Sequence, residues 1–250
     1  RELAPAGLRS SPKPSNTTHQ KNGAQVAPRL PLTGTAPLEK APMFTFPRAH
    51  QNRRWEGQGT LFGGGLPWYG GDSLGVCFGF STLWVDIGAP YDCFDALQAR
   101  KEAIADAQQG LTANMFLGVS IALEDTAESI IGRAPSRVVS YVGGVASHII
   151  LDILQRPGAH HFIISFYYVD GPEGGGGHAI AASFDDGQTG RLFDPNYGVG
   201  AYQSRTDLCN DLHALLASYV VPGGHVTESY LLEFDHDDGF GAFQGAAAPH

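Results

Sequence analysis

The segment Gly75-Val76-Cys77-Phe78-Gly79-Phe80-Ser81-Thr82-Leu83-Trp84 places a cysteine at the start of an apolar stretch. Glycines precede the cysteine and a mixed apolar pattern follows it, which predicts a helix over Cys77–Asp86. The unpaired N–H groups of a helix N-terminus favour negative charge, and only the thiolate form of cysteine is a strong nucleophile. Cys77 is therefore a candidate nucleophile, provided that a base and an orienting group accompany it.

Two later segments supply a histidine and an aspartate. Gly176-Gly177-His178-Ala179-Ile180-Ala181 opens a predicted strand, and Leu192-Phe193-Asp194-Pro195-Asn196 closes the next one. If the turn between the strands centres on Gly187, Asp194 faces Ile180 and lies diagonally to His178 on the same face, at about 7–8 Å. A slip of one residue would place the two on opposite faces. Cys77, His178 and Asp194 then follow the order nucleophile, base and orienting carboxylate that a thiol peptidase needs.

The three segments together resemble the YopT/AvrPphB-type family of bacterial effector proteases. The resemblance rests on GVCFGFSTLW, GGHAIA and LFDPNYG, and it extends over about residues 70–235. It implies a papain-like fold, a catalytic triad of Cys77, His178 and Asp194, and hydrolysis of a host protein as a virulence function. It also implies type III secretion by a bacterium, action in the host-cell cytoplasm or at its membranes, and a secretion chaperone for the N-terminal segment.

One position departs from the papain-like pattern, in which an amide side chain before the nucleophile donates a hydrogen bond to the oxyanion. The corresponding region of this chain has neither Asn nor Gln, and Asp72 is the positional counterpart. An ionised carboxylate cannot donate a hydrogen bond to an oxyanion and repels it. Three interpretations stay open: the Cys77 N–H and the Ser73 hydroxyl form the oxyanion hole, Asp72 is an Asn in the natural protein, or activity is weak.

Three functions are compatible with these residues. The leading hypothesis is a thiol endopeptidase. The same three residue types also serve glutamine deamidases and transglutaminases, which act on side-chain amides, and likeness at the level of the fold does not separate these reactions. The third hypothesis is a catalytically weak pseudo-enzyme that binds a host protein. It is suggested by the carboxylate of Asp72 at the position where an oxyanion donor is expected.

The composition argues against several other classes of protein. The chain has 250 residues, of which 42% are hydrophobic, enough for one sizeable domain. No apolar run reaches the length of a membrane span, and no signal peptide is visible. Three cysteines cannot all pair, which fits a reducing compartment, and Cys93 and Cys209 are interpreted as structural. The pair His160-His161 and the run over residues 235–238 lack a recognised metal-ligand spacing, so neither a metal nor a cofactor is predicted.

Charge is distributed unevenly along the chain. Residues 1–54 have a net charge of +7 and residues 55–250 one of −16. An acidic body argues against nucleic-acid binding. An acidic cleft would favour a substrate with a basic segment, although the same charge can serve solubility alone.

The pattern along the chain predicts three parts. Residues 1–54 are rich in Pro, Ser and basic residues and are predicted to be disordered, residues 55–235 form the folded domain, and residues 236–250 form a flexible tail. Further helices are predicted over residues 91–109, 112–131, 136–155 and 204–219, and strands over residues 161–169, 178–184, 191–194 and 226–234. A helical half followed by an antiparallel sheet is the α+β class, and a cleft between the two would bring Cys77 to His178.

Overall fold

The computed structural model describes residues 44–54, 76–143, 145–169, 175–185, 188–220 and 224–235. Its α-helices are α1 (Cys77–Asp86), α2 (Phe94–Ala99), α3 (Lys101–Asn114), α4 (Val119–Ile131), α5 (Val145–Leu154) and α6 (Arg205–Ser218). Its strands are β1 (Gln51–Arg54), β2 (Arg137–Val142), β3 (His160–Val169), β4 (Gly175–Phe184), β5 (Gly190–Asp194), β6 (Gly198–Tyr202) and β7 (His225–Asp235). Residues 1–43, the loop that contains Asp72 and Ser73, and the predicted tail lie outside the described residues.

The strands form one antiparallel sheet in the order β1-β6-β5-β4-β3-β7-β2. Successive side chains of a strand point to opposite faces, so the central strands contribute to two apolar clusters. Ile163, Ala179 and Leu232 pack under α1 to α4, whereas Ile164 and Ile180 pack under α5 and α6. The predicted α+β class, with a helical half against an antiparallel sheet, is confirmed, and two further helices cover the opposite face.

Helix α1 is the centre of the helical face, and its predicted bounds are confirmed. Trp84 is fully buried, stacks on Phe193 at a centroid distance of 5.1 Å, and donates its indole N–H to the Pro90 carbonyl at 3.0 Å. Gly79 faces α3 so closely that a Cβ atom would lie 2.3 Å from the Ile104 carbonyl oxygen. This glycine therefore sets the separation of α1 and α3.

The predicted helix over residues 136–155 is wrong in its first half. Residues Arg137–Val142 form strand β2, which pairs with β7, and the helix begins only at Val145. The segment RVVSYV is rich in β-branched and aromatic residues, which favour a strand, and Gly143 has a φ of 64° that ends it. The long helix predicted over residues 91–109 is likewise divided between α2 and α3.

Residues 44–54 pack on the domain, although the sequence assigns them to the N-terminal segment. Phe46 is 1% exposed in the cluster under α6, and β1 pairs with β6 along the edge of the sheet. Arg48 donates to the fully buried Asp211 through its backbone N–H and its guanidinium, both at 2.9 Å. Residues that pack on the domain therefore lie before the predicted boundary at residue 54.

The C-terminal helix begins as predicted from its capping sequence. Ser204 is the N-cap of α6, and its hydroxyl accepts a hydrogen bond from the Asp207 N–H at 3.3 Å. This helix lies against β5 and β6 on the face that also carries His178. Its C-terminal end brings Tyr219 to the candidate site.

Candidate active site

Cys77 is the first residue of α1 and is 5% exposed. Val76 occupies the N-cap position and has no polar side chain that could accept the N–H groups of the first turn. Those N–H groups and the helix dipole favour negative charge at the position of the sulfur. The prediction that Cys77 opens a helix is therefore confirmed, while its catalytic role stays a prediction.

His178 and Asp194 lie together on one face of the sheet. The pairing of Ala181 with Phe193, continued by one step, places Asp194 opposite Ile180, which is the predicted register. His178 Nε2 lies 3.3 Å from Asp194 Oδ1, and both side chains are buried. The Asn196 N–H donates to the same oxygen at 2.7 Å, so a short turn after β5 holds the carboxylate.

The end of β5 allows Cys77 and His178 to meet from opposite faces of the sheet. Helix α1 packs on the face of Ala179 and Ala181, whereas His178 alternates to the other face. Strand β5 pairs with β4 only from Ala181 to Phe184, so the His178 end of β4 extends past it. Here Cys77 and His178 line the same pocket, and the sulfur lies close enough to raise the pKa of the imidazole.

The charge state of His178 follows from its neighbours. Burial lowers the pKa of the imidazole, but the negative charges of Asp194 and Cys77 and the hydrogen bonds to both outweigh burial and raise this pKa to about 10. The imidazole is therefore protonated at neutral pH. A protonated imidazole beside the sulfur is the arrangement that a cysteine nucleophile with a histidine partner requires.

Tyr219 is a member of this cluster that sequence reasoning missed. Its hydroxyl lies 2.9 Å from His178 Nε2, donates to Asp194 Oδ2 at 2.8 Å, and accepts from Asn196 Nδ2 at 3.1 Å. Its ring stacks on the imidazole at a centroid distance of 4.4 Å and an angle of 28°. Burial and the Asp194 charge raise the pKa of Tyr219, so the hydroxyl stays protonated. No local pattern marks this tyrosine, because helix α6 brings it to the site.

A small pocket adjoins Cys77 on the helical face. Its walls come from α1, α3, β3 and β4, and most of them are apolar. The lining residues are Cys77, Phe78, Gln108, Leu111, Thr112, Met115, Ser165, Tyr167, Gly177, His178 and Ala179. None of these described lining residues carries a carboxylate. A separate groove lies at the C-terminal end of α1, and its lining includes the carboxylates Asp86, Asp106 and Asp125.

The other two cysteines are buried away from this cluster. Burial raises the pKa of Cys93 to about 12 and that of Cys209 to about 11. Both are therefore neutral, unreactive thiols at physiological pH, in accordance with the structural role that the sequence predicts.

His160 lies in an ion-pair network on the far side of the sheet. Its Nδ1 is 3.2 Å from Glu233 and 3.4 Å from Asp235, a grouping that could in principle hold a metal ion. Arg137 and Arg156 lie 3.7 and 3.4 Å from the same glutamate, so cations already surround it. Positive side chains compete with a metal for these oxygens, and the cluster fits an ion-pair network better.

Comparison with known families gives one match. Residues 140–229 match the model of the Peptidase_C58 family, described as Yersinia/Haemophilus virulence surface antigen. The predicted resemblance to YopT/AvrPphB-type effector proteases is confirmed. The matched region contains His178, Asp194 and Tyr219, while Cys77 lies before it. Over these residues the chain is similar to a peptidase family whose model is described as a virulence antigen, and the α+β class of the described residues is compatible with that similarity.

Two solved structures are similar to this chain. The crystal structure of Pseudomonas avirulence protein AvrPphB has a TM-score of 0.46 at 18% identity, and the match covers 63% of this chain and 90% of that one. PatoxP, a cysteine protease-like domain of Photorhabdus asymbiotica toxin PaTox, has a TM-score of 0.38 at 13% identity, with 77% and 56% covered. The comparison with curated proteins found no match. Among the described helices, none is long and apolar enough to cross a membrane.

Proposed function

We propose that this protein is a thiol endopeptidase that cleaves a host protein. The observation that supports the proposal is the placement of Cys77 beside His178, whose imidazole is paired with Asp194 at 3.3 Å and is held as a cation. The family match supports a protease-like virulence effector and thereby a protein substrate in the host.

The reaction begins with attack of the Cys77 sulfur on a backbone carbonyl. His178 Nε2 faces Asp194, so Nδ1 is the ring nitrogen that serves Cys77 and the leaving group. The imidazolium donates its proton to the departing amine, and an acyl-enzyme remains. The neutral imidazole then takes a proton from water, which attacks the thioester and releases the second product.

The oxyanion that forms during attack needs hydrogen-bond donors. The Cys77 N–H at the start of α1 is one, because the first N–H groups of a helix have no partner within it. Ser73 is the proposed second donor, since Asp72 as a carboxylate cannot donate. We expect Ser73→Ala to lower kcat roughly 100-fold, and we expect a much smaller change for Asp72→Asn. A large gain on Asp72→Asn would instead assign the amide position to residue 72.

The setting of the reaction is proposed from the family match. A protease-like virulence effector would be secreted by a bacterium and act in the host cytoplasm or at host membranes, with the basic N-terminal segment serving delivery through a secretion chaperone. The suggestion that the substrate is basic gains no support from the described lining residues of the pocket beside Cys77, since none of them carries a carboxylate.

The test is a search for new N-termini in host-cell lysate treated with the full chain. Fragments should appear with the wild-type protein and be absent with Cys77→Ser, which keeps the size of the side chain but is a far weaker nucleophile. A gain of about one dalton on substrate glutamines would indicate deamidation instead. Substrate capture without a mass change would indicate binding alone, and either outcome would overturn the endopeptidase proposal.

A further inference from the structure

The hydroxyl of Tyr219 lies within hydrogen-bond distance of both His178 and Asp194. A carboxylate only accepts, so the tyrosine O–H proton points to Asp194, which lies 2.8 Å away. The tyrosine oxygen must then accept from His178 Nε2 at 2.9 Å, a shorter contact than the 3.3 Å between the same nitrogen and Asp194. His178 Nε2 therefore carries a proton, and Nδ1 is left for Cys77.

We propose that Tyr219 is a positioning residue that bridges His178 and Asp194 and fixes the imidazole by hydrogen bonding and stacking. The ring of Tyr219 lies on one side of the imidazole at 4.4 Å, and Phe166 packs edge-on at 5.7 Å. Asn196 Nδ2 holds the tyrosine oxygen from a third direction at 3.1 Å. The hydroxyl thus stabilises the protonated imidazole and its orientation at once. The inference rests on the proposed function, in which His178 acts on Cys77.

The test is the pH dependence of Cys77 alkylation by iodoacetamide, followed by intact mass, because it requires no substrate. In the wild-type protein, the ion pair should keep Cys77 reactive well below the pH at which a free thiol reacts. Tyr219→Phe keeps the ring but removes the acceptor for the imidazolium. The acid limb is the part of the pH–rate profile in which the alkylation rate of Cys77 rises with pH. We expect this limb to shift to a pH about one unit higher, so that the rate at a given pH on it falls about tenfold.

Tyr202→Phe is the matched control. Its hydroxyl donates to the buried Asp211 at 3.0 Å, the same kind of bond without a histidine. A purely structural effect of losing a buried tyrosine hydroxyl should appear in both variants as a lower melting temperature, but only Tyr219→Phe should move the acid limb. An unchanged acid limb in a folded Tyr219→Phe protein overturns the proposal.

A second measurement uses the wild-type protein alone. Nitrogen-15 shifts of the His178 ring at alkaline pH should report the neutral form with hydrogen on Nε2, as the Tyr219 contact requires. Hydrogen on Nδ1 would refute the bridge. Failure of the proposed function looks different: the wild-type thiol would then alkylate with the profile of an ordinary cysteine, whatever the tautomer.

Gln108 carries a second inference, independent of the first. It is 3% exposed, lines the pocket beside Cys77, and its Oε1 is buried without a hydrogen-bond partner among the residues that the structure describes. A buried amide oxygen without a partner is unfavourable, so its retention needs a reason. Much of the wall around it is apolar, including Phe78, Leu111 and Met115.

We infer that Gln108 accepts a hydrogen bond from an uncharged polar side chain of the substrate, such as Ser, Thr, Asn or Gln, bound beside the scissile bond. The described lining residues offer no carboxylate for a cation, and burying an unpaired charge is costly. This inference also rests on the proposed function. A peptide library should show preference for such a residue at one position, and Gln108→Met should reduce this preference about tenfold. The control is Thr82→Val, at a buried residue that is not among the lining residues and whose hydroxyl bonds within α1 at 2.8 Å; it should leave the preference unchanged.

Stability provides a test without catalysis. Removal of an unpaired buried amide should raise the melting temperature of Gln108→Met by about 2–4 °C. A lower melting temperature would mean that the amide has a structural partner, and the inference would be wrong even if cleavage were observed. An unchanged residue preference in the variant would overturn it as well.

Discussion

Removal of residues 1–54 should unfold or severely destabilise the domain, because residues 44–54 of that segment pack on it. Phe46 is 1% exposed, and loss of a fully buried phenylalanine side chain costs about 3–5 kcal/mol. Asp211 is fully buried and would lose two bonds from Arg48 at 2.9 Å, keeping the Tyr202 hydroxyl at 3.0 Å. The Arg48 side chain is 46% exposed, so this loss is counted at about 2 kcal/mol, below the range for a fully buried pair.

The combined loss in the free energy of unfolding is about 5 kcal/mol or more, before the hydrogen bonds of β1 are included. The free energy of unfolding of a whole domain is only about 5–15 kcal/mol. Thermal unfolding should therefore place a chain that begins at Trp55 at least about 10–20 °C below the full chain. A chain that begins at Phe44 keeps Phe46, Arg48 and β1 and should melt close to the full chain. If the chain beginning at Trp55 melts within about 3 °C of the full chain, the packing argument is refuted.

Four further outcomes follow from the site and its support. Iodoacetamide should label Cys77 before the other two cysteines, whose raised pKa keeps them neutral; equal labelling of all three in the folded protein would contradict this. Asp194→Ala should retain a trace of turnover, roughly 1000-fold below wild type, since the reacting groups remain but the imidazole loses its partner. The pKa of His178 is raised to about 10, so the imidazolium that protonates the leaving amine is present below that value, and turnover should decline as pH rises through it. Gly79→Ala should cost about 3 kcal/mol in urea unfolding, because its Cβ would lie 2.3 Å from a backbone oxygen of α3; a cost below about 1 kcal/mol would show that the helices move apart easily.

The sequence predicts the His178–Asp194 pair well because the pair is local. Alternation along two strands and one short turn determine the register, and the observed pairing of Ala181 with Phe193 is the one that the turn at Gly187 requires. The start of α1 is equally local, since glycines and an apolar run surround Cys77. Short-range patterns therefore carry most of the information about the three predicted site residues.

Long-range pairings account for what the sequence reading missed. Strand β2 pairs with β7, whose residues lie about ninety positions later in the chain, and in isolation an apolar run is compatible with either a helix or a strand. Strand β1 has the sequence QNRR, all four residues are exposed, and only its edge position beside β6 explains it. The role of Tyr219 was missed for the same reason, because its hydrogen-bond partners come from two strands and a turn that are distant in the sequence.

The site has two parts, one on each face of the sheet, and different substitutions affect each part. His178, Asp194 and Tyr219 form one hydrogen-bonded unit on the α6 face, while Cys77 arrives on α1 from the other face and meets them where β5 ends. A change on the helical face, such as at Gly79, should therefore move the sulfur and leave the His178–Tyr219 bridge intact. A change at Tyr219 should act in the reverse way, altering the imidazole while α1 stays in place. The reactivity of Cys77 thus depends on both faces, whereas the tautomer of His178 depends on one, and the two measurements together locate the origin of any loss.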